Sequence, residues 1–102
     1  MIHVLATIEL QPGTREKFLA EFHGVMPAVR AEVGCVEYGP AIDLATDIPR
    51  QQQSGENYVV VVEKWASLEA LKAHLVAPHM LAYRERVKAY VVGARLQILQ
   101  PV

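Results

Sequence analysis

The sequence lacks several features that would assign a function class at once. Its 102 residues include one cysteine, Cys35, so no internal disulfide can form, and a cytoplasmic location is expected. No apolar run approaches the roughly 18 residues of a membrane-spanning helix. The formal net charge of −1 provides no excess of positive charge for nucleic acid or anionic lipid. We therefore expect neither nucleic acid nor membrane as a partner.

The motifs of metal, phosphate and nucleophile sites are also missing. The four histidines are scattered and lack the H-x-x-x-H or H-E-x-x-H spacing of a metal site. The sequence has no glycine-rich phosphate loop and no arrangement of serine, histidine and aspartate for nucleophilic catalysis. We expect neither a metal nor another cofactor.

The composition is rich in apolar residues. Hydrophobic residues make up 52% of the chain and charged residues 21%, slightly more apolar than a typical soluble domain. A chain of this length is expected to form one domain, here residues 1–102. Excess apolar surface on a small chain indicates a second buried face, and hence an oligomer.

The stretch from Tyr58 to Trp65 organises the rest of the chain. Its first five residues are apolar and mostly β-branched, which predicts a strand, and Ser67 is placed to cap a following helix. Valines fall on both faces of this strand, so we expect it in the middle of a sheet that is covered on both sides. Glu63 and Trp65 share one face, and a carboxylate beside an indole in a core indicates a pocket.

A strand and an amphipathic helix are predicted at the start of the chain. Residues 2–10 alternate between a dominantly apolar face and a mixed face, as in a strand. After a Gln-Pro-Gly turn, Thr14 is placed to cap the helix, Pro27 to bend or divide it, and Gly34 to end it. The inward positions recur at helical intervals: Phe18, Leu19, Phe22, Val25, Met26, Val29 and Val33.

The second half of the chain continues this alternation. The alternation from Val36 to Leu44 predicts a strand with Val36 and Tyr38 on the same face. Pro40 either confines this strand to a sheet edge or interrupts it, because proline cannot donate to a ladder. The polar residues 45–57 are expected to form a long, mobile hairpin connection. Two helices separated by Pro78 and a strand over residues 94–99 complete the pattern. Their expected inward positions are Leu68, Leu71 and Leu75, then Met80, Tyr83 and Val87.

The predicted order is β-α-β-β-α-β, with the second helical element split in two. This is the α+β, ferredoxin-like plan with a four-stranded antiparallel sheet. Its helices cover one face of the sheet, whereas the central strand is apolar on both. We therefore expect the sheet of a second copy to cover the other face in a homodimer.

Four local patterns together resemble the antibiotic biosynthesis monooxygenase (ABM) family. They are Pro12-Gly13 before a helix and the segments Glu32–Tyr38, Val62–Trp65 and His74–Met80. The resemblance implies a dimeric α+β barrel. Members of the family include cofactor-free monooxygenases of phenols, quinols or anthrone-like polyketides, haem-degrading enzymes, and an isomerase of a small phosphorylated signal.

The family pattern places His74 beside the cavity and so implies a catalytic role for it. An imidazole with an ordinary pKa near 6.5 is suited to accept a phenolic proton at neutral pH. The alternative is a histidine at a helix edge, bonded to a backbone carbonyl. Glu63 is the second catalytic candidate, either orienting His74 or binding a substrate hydroxyl, unless it pairs with a basic residue at the sheet edge.

Five further residues are candidates for binding the substrate. Trp65 is expected as a cavity wall on which a planar substrate stacks, or as an ordinary core residue. Tyr38 is expected at the pocket mouth, or half-buried with a solvated hydroxyl. His79 either contributes to the pocket or caps the helix that it begins. Phe22 and Met80 are included because their helical positions turn them inward.

The leading functional hypothesis is an enzyme that oxygenates a phenolic, quinol or polyketide-like aromatic substrate with O₂, without flavin, haem or metal. His74 removes a proton, and the electron-rich substrate reduces O₂ itself. Haem degradation is disfavoured, because the family's asparagine near Ala6-Thr7 and its histidine near Arg84 are absent. The alternatives are an isomerase or lyase of a small carbonyl compound and a non-catalytic ligand-binding module.

Overall fold

Four strands form one antiparallel sheet in the computed structural model, which describes residues 1–102. The strand order is β2-β3-β1-β4, and every neighbouring pair is antiparallel. This confirms the predicted α+β, ferredoxin-like plan. The elements are β1 (Ile2–Leu10), α1 (Arg15–Arg30), β2 (Cys35–Ala41), β3 (Tyr58–Trp65), α2 (Leu68–Leu75), α3 (Pro78–Val87) and β4 (Val91–Leu99).

Strand β3 lies inside the sheet, between β2 and β1, as its valines predict. Every second residue is buried under the helices, and the residues between them are half-buried. The buried face carries Val59, Val61, Glu63 and Trp65. The opposite face of the sheet is only half-covered in the single chain, and the homodimer expected to cover it stays a prediction.

An aromatic cluster joins the helices to the sheet. Phe22 of α1 stacks on Tyr38 of β2, with ring centroids 5.2 Å apart and planes within 9° of parallel. Tyr83 of α3 meets Phe22 edge-on at 6.1 Å, and Phe18 lies 6.2 Å from both. Because such pairs are large and have preferred geometries, they determine where α1 and α3 sit on the sheet.

Several predictions about α1 are wrong in detail. Of the two effects expected of Pro27, the division of the helix is wrong, because the helix runs on to Arg30, and the bend stays a prediction. Val33 lies beyond the helix end and is 93% exposed, although its spacing from Val29 suggested an inward position. Thr14 precedes the helix, but its hydroxyl donates to the Gln11 carbonyl at 2.7 Å and accepts no helical N–H. By contrast, the predicted Ser67 cap of α2 is confirmed.

Strand β2 also differs from the prediction in its side-chain pattern and its end. A bulge between Cys35 and Glu37 turns Val36 outward, so that Tyr38 still faces the core. Strand β2 is an edge strand, as Pro40 predicts, but it ends at Ala41, so the connection to β3 spans residues 42–57.

The remaining differences concern the last strand and α2. Strand β4 begins at Val91, earlier than the predicted residues 94–99. Leu68 opens α2 and is 43% exposed, whereas His74 takes the inward position beside Leu71. None of the three helices combines the length and the apolar character needed to cross a membrane.

The turn between α1 and β2 approaches α2 closely at Gly34. Gly34 has a φ of +84°, and a Cβ there would lie 2.6 Å from the Cβ of Ala70. Its carbonyl also accepts a hydrogen bond from the Ala66 N–H at 2.8 Å. This contact holds the turn against the start of α2, and only glycine allows it.

We predict that Gly34→Ala lowers the free energy of unfolding by about 2 kcal/mol or more, because it adds both backbone strain and a clash. Gly13→Ala has a similar φ of +78° but open space, so it should lose only about 1 kcal/mol from strain. Gly24→Ala, inside α1 and also in open space, should gain up to ~1 kcal/mol. Urea denaturation measures all three, and equal losses for Gly34→Ala and Gly13→Ala would contradict the close contact.

Candidate active site

A cavity of about 430 Å³ lies between the sheet and the helices. Of its 17 lining residues, 13 are hydrophobic, so its interior favours a small apolar ligand over water. Phe22 of α1, Tyr38 of β2 and Met80 of α3 are among them, as the sequence analysis expected of substrate-binding residues. Exposed Arg84 of α3 and exposed Lys88, just after α3, form part of the rim.

Two polar residues are buried in this protein, and both line the cavity. Glu63 is 6% exposed and His74 is 2% exposed. Glu63 comes from the buried face of β3, and His74 from the inward face of α2. Burying a polar side chain is costly unless it finds a hydrogen-bond partner, and each of these two has one.

The partner of His74 is Glu32, which follows the end of α1. The His74 Nδ1 atom lies 3.0 Å from the Glu32 Oε2 atom. The option that Glu63 orients His74 is therefore wrong. Burial lowers the pKa of His74, whereas the hydrogen bond and the negative charge of Glu32 oppose that shift. The lowered pKa favours the neutral imidazole, in which one ring nitrogen carries no proton and can accept one.

The partner of Glu63 is Trp65, two residues further along β3. The Trp65 indole N–H donates to the Glu63 Oε1 atom at 2.9 Å. Burial raises the pKa of Glu63 to about 7, although this hydrogen bond partly opposes the shift. The carboxyl group is thus poised between its two protonation states at neutral pH, and it does not pair with a basic residue at the sheet edge.

Trp65 lies behind the catalytic candidates and not on the cavity wall. Its side chain is fully buried, and its ring packs against the His74 imidazole with centroids 4.6 Å apart. It is absent from the cavity lining, so the predicted stacking of a substrate on its face does not fit the structure. The indole instead supports His74 from one side and binds Glu63.

Tyr38 and His79 also differ from their predicted positions. Tyr38 is 3% exposed and lies inside the cavity, not at its mouth. Burial raises the pKa of its hydroxyl, so the group keeps its proton. His79 does not line the cavity and does not cap α3; its Nε2 atom lies 2.7 Å from Glu32 Oε2.

Glu32, Arg84 and Lys88 are site residues that the sequence analysis missed. Glu32 lies in a turn, where no periodicity indicates which way a side chain points, although the resemblance did include its segment. Arg84 and Lys88 follow Met80 at four-residue steps, a helical spacing that gives one usable signal. Cys35 is no nucleophile candidate, because burial and nearby acidic groups raise the pKa of its thiol.

The chain matches the family of antibiotic biosynthesis monooxygenases over residues 1–86. It is 39% identical over 103 residues to the "Probable quinol monooxygenase YgiN" of Escherichia coli, covering 99% of this chain and 98% of that protein. The fold is similar to that of PA3566 from Pseudomonas aeruginosa, with a TM-score of 0.81 and 23% identity over 99% and 93% of the chains. It is also similar to Rv0793 from Mycobacterium tuberculosis, with a TM-score of 0.80 and 24% identity over 99% and 94%.

We predict that Glu63→Gln becomes more stable relative to the wild type as the pH rises from 5 to 8. The pKa of Glu63 is about 7 in the folded protein, whereas the pKa of the same carboxyl group in the unfolded chain is 4.5. The stability that the protonated carboxyl contributes is present below pH 4.5 and is lost as the pH rises through 7. The relative gain at pH 8 should be on the order of 2–3 kcal/mol.

Urea denaturation at several pH values measures this difference. The lowered pKa of His74 acts in the opposite direction, since it costs stability as the pH falls below its usual value, but it is common to both proteins and cancels. Glu37→Gln is the matched control, because Glu37 is half-exposed and lies 3.7 Å from Lys64. If the difference in the free energy of unfolding between Glu63→Gln and the wild type stays constant from pH 5 to 8, the pKa of Glu63 is not elevated.

Proposed function

Because this chain belongs to the antibiotic biosynthesis monooxygenase family, we propose that it oxidises a small aromatic quinol with O₂ and without a cofactor. The observation that carries the proposal is the buried imidazole of His74 on the lining of an apolar cavity. The printed name of the Escherichia coli relative supports a quinol as the substrate class. The cavity volume, about 430 Å³, is in the range of small-molecule sites.

In the proposed reaction, His74 accepts a proton from a quinol hydroxyl through its Nε2 atom, since Nδ1 is bonded to Glu32. The resulting anion is electron-rich enough to transfer one electron to O₂, and the two radicals combine to a peroxide on the ring. The peroxide regains the proton and loses water, which leaves a hydroxyquinone. One oxygen atom of O₂ enters the product and the other becomes water, and the quinol supplies all four electrons that reduce O₂.

The rest of the cavity supports this chemistry by its charge and its apolar walls. Arg84 has no carboxylate within ion-pair distance, so its positive charge is free to act on the cavity. Burial lowers the pKa of His74, and the Arg84 charge lowers it further. The same charge favours a substrate anion, and the apolar walls strengthen that attraction by excluding water.

We predict that His74→Ala lowers kcat for quinol oxidation by about 10²- to 10⁴-fold, the usual contribution of a general base. Turnover is measured as O₂ consumption and as incorporation of one labelled oxygen atom from isotopic O₂, after subtraction of the uncatalysed rate. Quinol binding without O₂ is followed by fluorescence of the single tryptophan, which packs against His74. Binding should persist in the variant.

The control is His23→Ala, on the exposed side of α1, which should keep wild-type turnover. Turnover that continues without O₂ would contradict the oxygenase and favour an isomerase or lyase. If the wild type binds quinols but oxidises none of them, the result would favour a ligand-binding module.

A second prediction concerns the rim. Arg84→Gln should lower kcat about tenfold, corresponding to ~1.4 kcal/mol of lost stabilisation of the anion. Arg86→Gln is the matched control, because Arg86 lies on the same helix, bonds Glu21 at 2.7 Å and does not line the cavity. Steady-state rates at low and high salt measure the effect, which salt should weaken in the wild type. Equal rates for the two variants would contradict the role of the Arg84 charge.

A further inference from the structure

One oxygen atom of Glu32 contacts two histidines. Its Oε2 lies 3.0 Å from His74 Nδ1 and 2.7 Å from His79 Nε2. The three residues come from separate segments: the turn after α1, helix α2 and helix α3. The exposed fractions of their side chains are 3% for His74, 13% for Glu32 and 31% for His79.

This arrangement determines which nitrogen of His74 carries the proton. An ionised carboxylate only accepts hydrogen bonds, so Nδ1 must be the protonated nitrogen of the neutral ring. The Nε2 atom then has a free lone pair, and His74 lines the cavity. In the other tautomer, the lone pair of Nδ1 would face the Glu32 carboxylate, which is repulsive. The Nε2 atom would then carry the proton and could not accept one from a substrate.

We propose that Glu32 is a positioning residue for the oxygenation: it holds His74 in the Nδ1-protonated form, and His79 anchors that carboxylate. The inference rests on the proposed function. The substrate proton moves to Nε2 and returns from Nε2 to the peroxide oxygen that leaves as water. The proton on Nδ1 stays on that nitrogen throughout. Its hydrogen bond to the Glu32 carboxylate stabilises the transient imidazolium.

The backbone around Glu32 keeps the carboxylate in reach of both rings. Glu32 lies two residues before Gly34, whose carbonyl bonds the Ala66 N–H at the start of α2. That contact holds the turn against the helix that carries His74. The second hydrogen bond, from the His79 N–H, restricts rotation of the Glu32 side chain, which is otherwise free to turn toward solvent.

The test uses the pH profile of kcat/KM, so every charged or titratable group facing His74 bears on it. Glu32 raises the pKa of His74, whereas Arg84 and His79 lower it, on top of the dominant effect of burial. Four more titratable groups line the same cavity: Tyr38 of β2, Glu63 of β3, Tyr83 of α3 and Lys88 just after α3.

Glu32→Gln keeps the shape of the side chain but removes its charge. We expect kcat to fall about 10- to 100-fold with little change in KM, and the low-pH limb of the profile to move to lower pH. His79→Leu removes the anchor and should lose several-fold in kcat, whereas His79→Gln keeps an N–H donor and should stay near the wild type. Glu37→Gln, at an exposed position, should leave turnover unchanged.

Nitrogen NMR of the histidine rings provides a reading that does not require activity. In the wild type at pH 8, His74 should show a protonated Nδ1 and an unprotonated Nε2; in Glu32→Gln the two forms should mix. A wild-type His74 protonated at Nε2 would overturn the inference even if the variant fails to fold. So would wild-type kcat in Glu32→Gln. A correct tautomer in a protein that oxidises no quinol would instead contradict the proposed function alone.

Discussion

The burial of His74 determines the character of this site. His74 is 2% exposed and lies against an apolar cavity, so its burial disfavours the protonated imidazole. A single hydrogen bond from Nδ1 to Glu32 gives the buried ring a polar partner and leaves Nε2 without one. Removing the carboxylate would leave a buried N–H unpaired, which costs about 1–3 kcal/mol. The same pair therefore contributes to stability and to reactivity.

The cavity contains one buried carboxyl group and one buried imidazole, and each is supported differently. Glu63 accepts a hydrogen bond from the neutral Trp65 indole, so no positive charge offsets its burial and its pKa rises to about 7. His74 bonds a carboxylate, which opposes the effect of its burial. Trp65 touches both, since it donates to Glu63 and packs against the His74 ring. The two groups are thus held close to one another by a residue that does not itself reach the cavity.

Local rules were enough to predict most of the fold. The alternation along β3, the Ser67 cap and the edge position that Pro40 imposes on β2 each depend on neighbouring residues alone. The failures at Thr14 and Val36 have a different origin: a hydroxyl that bonds a turn carbonyl, and a bulge that no periodicity reveals. The single-domain extent, the homodimer and the cytoplasmic location stay predictions.

The site was only partly predictable for the same reason. The resemblance pointed to His74 and the strand alternation to Glu63, and both line the cavity with Phe22 and Met80. Glu32 was missed because its partners lie 42 and 47 residues away in the sequence, beyond any local pattern. Trp65 and His79 were expected at the substrate, but Trp65 contacts Glu63 and His74 from behind the cavity, and His79 bonds Glu32.

The most direct test of the account is a crystal structure of the protein with a two-ring aromatic quinol, grown without O₂. The account predicts that the quinol lies in the cavity with one hydroxyl oxygen within hydrogen-bond distance of His74 Nε2, while Nδ1 keeps its bond to Glu32. A quinol bound in this cavity with both hydroxyls directed away from His74, or bound elsewhere on the protein, would contradict it.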